Sequence, residues 1–135
     1  MYREFNPEIL LTVWKIRKNT SLILDICELF QATLDEGLGE IPRAYKAEDS
    51  KELVYWLHRM KGSALNVGAV FLADHLQEAK EQVKNLGLDE PTPFSTHLEQ
   101  IHTSYLNAKH GISALLQSIE DSDLDATCKQ SESLH

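Results

Sequence analysis

Apolar residues recur along this chain at intervals of three and four, and strict alternation is absent. A 3.6-residue period almost throughout predicts an all-α domain. A first helix is expected from Asn6-Pro7, a capping residue followed by proline at the first helical position, to about Arg17. Ile9, Leu10, Val13 and Trp14 share one of its faces. Asn19 or Thr20 caps a second helix with the inward stripe Leu22, Ile26, Leu29, Phe30 and Leu34, continued by Leu38, Ile41 and Tyr45. Gly37, Gly39 and Pro42 fall inside that stretch. Glycine costs about 1 kcal/mol in a helix interior and proline about 3 kcal/mol, so a kink or a break near residues 37–42 is expected.

Asp49-Ser50-Lys51-Glu52 has capping-box spacing and opens a third helix that reaches about Val67, where Gly68 interrupts. A fourth helix spans about Val70 to Leu86 and ends at Gly87, followed by a loop over Leu88 to Pro91. Thr92-Pro93 repeats the cap-and-proline start for a fifth helix, which runs to about Ile119. Its inward residues are Leu98, Ile101, Tyr105, Ala108, Ile112, Leu115 and Leu116. From Glu120 the chain turns acidic and polar, a composition that cannot bury a core. The expected organisation is one domain over residues 1–120 and a disordered tail over 121–135.

The 135 residues suffice for one buried core. Apolar runs are too short to span a bilayer, and charges throughout the first twenty residues argue against a signal peptide, so a cytoplasmic domain without membrane contact is expected. A formal net charge of −8 argues against nucleic-acid binding, which needs clustered cations. Of the two cysteines, Cys27 lies in an apolar run and reads as a small core residue, and Cys128 lies in the polar tail. Nothing suggests a disulfide framework.

The third helix carries the most informative chemistry. Leu53, Leu57, Met60, Ala64 and Val67 form one core-facing stripe. His58 lies roughly 140° from it, at about 100° per residue, on the outer flank of the bundle. The residue at i+4, which on a helix partly covers residue i, is Gly62 and leaves the imidazole open. Glycine there weakens the helix, and close approach of another molecule to the ring is a physical reason for it. Lys61, at i+3, can reach a group attached to His58, and Val54 and Leu65 give the flanks a partly apolar character suited to docking. Neutral imidazole is a good nucleophile near pH 7 and can attack the phosphorus of an acyl phosphate. The product carries about two negative charges, which Lys61 would stabilise. No Mg²⁺ site is evident in the chain, so the metal and most of the electrostatic catalysis would come from the partner.

His58-Arg59-Met60-Lys61-Gly62-Ser63-Ala64, followed by Gly68-Ala69 and Leu72, resembles the signature of histidine phosphotransfer (HPt) domains. That pattern reads His-x-x-Lys-Gly-Ser/Ala-Ser/Ala, then Gly-Ala and a leucine-rich helix. The likeness covers roughly residues 5–118. It implies an up-down antiparallel four-helix bundle with a short N-terminal lid helix. It also implies His58 as phosphoacceptor, Lys61 as phosphate partner and Gly62 as the clearance residue. The implied partners are response-regulator receiver domains and a hybrid sensor histidine kinase, with the protein a monomeric phosphoryl carrier, not a turnover enzyme, and Mg²⁺ needed only in the receiver. The chain departs from the pattern at Leu57, where the family often has alanine, and at Lys80, where many members place Gln or Glu facing the histidine. Lys80 would add positive charge near the phosphoryl group, with Lys84 one turn further on.

Other readings compete. A lone surface histidine is usually inert, and Lys61, Lys80 and Lys84 taken singly are ordinary surface charges. Trp14 and Trp56 read as packing residues. The remaining histidines, His75, His97, His102, His110 and His135, invite a metal-binding bundle, but the chain has one Glu-x-x-His spacing, Glu99 to His102, where di-iron bundles need two. A non-catalytic adaptor that docks receivers or kinases without transfer is the other alternative. The joint presence of His58, Lys61 and Gly62 favours transfer over it.

Overall fold

The computed structural model describes the backbone of residues 6–17 and 20–133 and the side chains of 6–12 and 21–119. Five helices follow one another: α1 (Glu8–Arg17), α2 (Thr20–Lys46), α3 (Ser50–Val67), α4 (Val70–Asn85) and α5 (Phe94–Ser133). Among the described residues there is no strand, as the apolar period predicts. The connections between α2 and α5 are short, which sets sequence neighbours antiparallel. Each of these four helices packs on the next, and α2 meets α5 to close the ring. This is the up-down four-helix bundle, with α1 laid across α2 and α3. Among the described residues no helix is long and apolar enough to cross a membrane.

The helix starts are chemically specified. Asn6 accepts a hydrogen bond from the Glu8 N–H at 3.0 Å through its side chain. Asp49 does the same for the Glu52 N–H at 3.1 Å, but Glu52 does not complete a reciprocal box, because its carboxylate accepts from the Trp56 indole at 3.0 Å. At the start of α5 the Phe94 N–H is bound not by Thr92 but by Asp89, at 3.1 Å. Asp89 also accepts from the Tyr45 hydroxyl, and Tyr45 stacks on Phe94 with centroids 5.0 Å apart. That contact raises the Tyr45 pKa above its ordinary value, the hydrogen bond to Asp89 being the main cause.

Two sequence expectations on α2 are corrected in part. Of the expected kink or break near residues 37–42 the break is absent: α2 runs on through this stretch with Pro42 inside it. Pro42 is exposed, so the backbone carbonyl left without its N–H partner can bond water. Gly37 lies under the Met60 side chain of α3: a Cβ there would overlap it, coming within 2.8 Å of its Cγ. The inward stripe of α2 keeps the expected Phe30, Leu34 and Ile41, with Ile26, Leu38 and Tyr45 partly buried against the core, but loses Leu29 and gains Ile23, Cys27 and Ala44. Ile23, Cys27, Phe30, Leu34, Ile41 and Ala44 are buried, whereas Leu29 is 65% exposed. Gly68 ends α3 with a positive φ of 81°, and α4 ends as expected, with C-cap Leu86 followed by Gly87, whose N–H donates to the Gln82 carbonyl at 2.9 Å.

The stripes of α3 and α5 stand as expected, while on α1 Leu10 is buried and Ile9 is exposed. All five α3 core residues have no solvent exposure, and on α5 Ile101, Tyr105, Ala108, Ile112 and Leu115 are buried. Trp56 is buried as a packing residue, while the Trp14 and Val13 side chains fall outside the described residues. Cys27 is buried, and desolvation pushes its thiol up to about 11, which keeps it a protonated, inert core group. The expected boundary at residues 120–121 does not interrupt the backbone, which stays helical to Ser133. Extending an existing helix needs far less than nucleating one. Ile119, the last side chain described, is buried, and the side chains of the tail, Cys128 included, lie outside the described residues.

A buried polar clasp joins α4 to the loop before α5. Gln82 donates through Nε2 to the carbonyls of Thr92 (2.6 Å) and Leu88 (3.2 Å), and its Oε1 accepts from the Thr92 N–H at 3.1 Å and sits 3.0 Å from His97 Nε2. Burial lowers the His97 pKa, with Glu78 opposing and His75 assisting. A histidine whose pKa is lower folded than unfolded stabilises above its unfolded value of 6.5, and that stability is lost as pH falls below it. Urea unfolding is therefore expected to show stability declining as pH drops from 7 toward 5.5, and His97→Gln should flatten that part of the profile.

Candidate functional site: His58 and the outer face of α3 and α4

The same α3 stripe that fills the core turns His58 outward, and the side chain is exposed. Space around it is open on the C-terminal side, where a Cβ built on Gly62 would meet nothing within 4 Å. The flanks are partly apolar: Val54 is half-buried, Leu65 is 44% exposed and Tyr55 is 52% exposed. Arg59 lies over the Trp56 ring at 5.1 Å and donates to the Tyr55 hydroxyl at 3.2 Å, which fixes a polar edge beside the histidine.

Two lysines come to this face by different routes. Lys80, on α4, places its Nζ 3.4 Å from His58 Nδ1. Lys61 shares the His58 face of α3 but reaches across to α4, donating to Gln77 Oε1 at 2.8 Å. The Gln77 amide donates in turn to Glu81 Oε1 at 2.7 Å, which fixes the amide with its oxygen toward Lys61. Lys84 is exposed and lines a groove with Ser50, Lys51, Val54 and Val83, one turn beyond the histidine. Of the four site residues expected from sequence, His58, Lys80 and the gap over Gly62 thus meet directly, and Lys61 stands beside them with its ammonium engaged.

Gln77 and Glu81 were not expected in the site. The signal for them lies on α4, where Gln77, Lys80, Glu81 and Lys84 follow one another at i, i+3, i+4 and i+7 and so share a face. Among the described residues no cluster of three or more His, Cys, Asp or Glu is placed to hold a metal ion. The arrangement offers a solvent-accessible imidazole, two ammonium groups within a side chain's reach, and clearance for an incoming group with negatively charged oxygens. That is the equipment for holding a phosphoryl group on a ring nitrogen.

The sequence profile of the Hpt domain matches residues 25–134, and the chain belongs to that family. Among solved structures it is similar to histidine-containing phosphotransfer protein B (HptB) from Pseudomonas aeruginosa PAO1. The two are 19% identical, with a TM-score of 0.76, over 87% of this chain and 98% of that one. At that identity the likeness speaks for the bundle fold. No curated protein matches the chain. Family and fold together place it in histidine phosphotransfer, within the phosphorelays of two-component signalling.

Proposed function

We propose that this protein is a cytoplasmic, monomeric phosphorelay intermediate. It accepts a phosphoryl group on His58 from the aspartate of a receiver domain, such as that of a hybrid sensor kinase, and passes it reversibly to a second receiver. The observation that carries this reading is the exposed His58 ring with the Lys80 ammonium 3.4 Å from Nδ1 and open space over Gly62. With Nδ1 facing Lys80, Nε2 is the nitrogen left open to a partner. The lone pair of Nε2 attacks phosphorus, the bond from phosphorus to the aspartate oxygen breaks, and its electron pair stays on the carboxylate. Lys61 and Lys80 offset the charge of the transferred group. The bound Mg²⁺ and the remaining electrostatic stabilisation belong to the receiver, so the chain acts as a carrier, with no turnover chemistry of its own. Val54, Tyr55 and Leu65 supply apolar docking surface around the ring.

The test is label transfer from ³²P-phosphorylated receiver domains, several in parallel. Label arriving as an acid-labile, base-stable group supports a phosphohistidine. Binding without transfer from any receiver would favour the adaptor instead. Gly62 separates fold from function within the same assay. Gly62→Ala is expected to raise unfolding stability by about 0.5–1 kcal/mol, because the site is helical and unobstructed. Gly62→Gln, whose side chain would lean over the ring, should slow transfer about tenfold or more by spoiling the approach. Equal transfer rates in Gly62→Gln and the unmodified protein would remove the clearance role.

A further inference from the structure

We infer that Lys80 fixes the tautomer of His58 and must release the ring before Nε2 can attack, an inference that rests on His58 being the phosphoacceptor. A lysine ammonium has three donors and no acceptor. Its contact with Nδ1 at 3.4 Å therefore requires the Nδ1 lone pair, and the single proton of the neutral ring sits on Nε2. In that tautomer the open nitrogen carries a proton and the nitrogen with the lone pair is covered by Lys80. The resting ring is unreactive at both positions.

Attack needs the opposite tautomer. Nε2 gives its proton to water and Nδ1 takes one from water, which the exposure of His58 permits. An ammonium cannot face an Nδ1–H, so Lys80 swings away, and the oxygens of the incoming phosphoryl group are the anionic partner for it. The Nε2 lone pair then forms the N–P bond, the P–O bond to the receiver aspartate breaks, and the pair of electrons goes to the carboxylate. The phosphorylated ring leaves with Nδ1–H and loses that proton to solvent. Nδ1 regains its lone pair, and Lys80 can donate to it again. Lys80 thus suits the resting and the phosphorylated ring and opposes the attacking one. Lys61 is not placed for this part, since its ammonium is bound to Gln77, whose amide is fixed by Glu81.

Long-range ¹H–¹⁵N correlation spectra of the full chain, taken where the ring is neutral, read the tautomer directly. The unmodified protein should hold the Nε2–H form over the Nδ1–H form by about tenfold. Lys80→Arg, which keeps a donor, should retain it. Lys80→Glu, whose carboxylate only accepts, should reverse it. The phosphorylated chain, prepared with phosphoramidate, should carry phosphorus on Nε2. An unmodified protein in the Nδ1–H form, the same tautomer in Lys80→Glu as in Lys80→Arg, or phosphorus on Nδ1 would each overturn the inference. The tautomer is read without any transfer. A chain that shows the expected tautomers but takes phosphate from neither phosphoramidate nor receivers would instead overturn the phosphoacceptor reading.

Discussion

His58→Gln is expected to leave the fold intact and to remove phosphoryl acceptance, a loss of about a thousandfold or more in the transfer assay. The two halves of that expectation have separate grounds. His58 is exposed, and among the described residues its polar side-chain partner is Lys80 at 3.4 Å, a contact of a kind worth about 1 kcal/mol at most at a surface. Glutamine favours helix slightly more than histidine, so the melting temperature should stay within about 3 °C. The chemistry has no such tolerance. A carboxamide nitrogen is conjugated with its carbonyl and offers no nucleophilic lone pair to phosphorus. Among the described residues, none of the other histidines lies beside Lys61, Lys80 and Gly62. Both His75 and His97 have Nδ1 buried, and the second nitrogen of His97 faces Gln82. His102 and His110 are exposed on α5, the helix diagonally across the bundle from α3. Label in the His58→Gln protein would therefore redirect the search to α5. His102 would come first, since it shares a surface cavity of about 470 Å³ with Lys109.

How much of this was legible in the sequence differs between the helices. On α3 the apolar spacing is unambiguous, so one helical wheel gives both the core and the outward direction of His58. On α2 apolar residues cover more than one face. Near its start Leu22 and Ile26 lie one position away from the buried Ile23 and Cys27, and which pair turns further inward is decided by packing against α3 and α5. Glycine and proline misled in the same helix for a related reason. Gly37 marks the crossing of Met60, a tertiary contact, and Pro42 is tolerated because it faces solvent. The site follows this division. Gly62 could be read as clearance from local geometry, but the hold of Gln77 on Lys61 depends on how α4 is rotated against α3, and no spacing within one helix reports that. Lys80 was visible as a charge at a suggestive position. Its contact with Nδ1, and with it the ring's tautomer, required the two helices side by side.

Gly68→Ala should produce a large loss of stability without touching the chemistry. The residue ends α3 at φ 81° and ψ 19°, with its N–H directed to the carbonyls of Ala64 and Leu65. An alanine in that left-handed conformation costs about 1–2 kcal/mol. The turn is also where the strand of chain entering α1 is anchored: the Asn6 N–H donates to the Gly68 carbonyl at 2.6 Å. A Cβ at Gly68 would overlap the Asn6 carbonyl oxygen, a backbone atom that cannot rotate aside. The strap must shift, and the hydrogen bond and the seating of the fully buried Leu10 are loosened with it. The combined expectation is about 2–4 kcal/mol by urea unfolding, with faster amide exchange in α1 than in α3 or α4. Gly68→Asn divides the two causes. Asparagine tolerates the left-handed region but brings the same Cβ against Asn6, so it should recover part of the loss and no more. Transfer through His58 should persist in both variants wherever they are folded, because the α3 stripe that orients the ring ends before the turn. A loss below about 0.5 kcal/mol in Gly68→Ala would mean that the chain before α1 is not held against the α3–α4 turn.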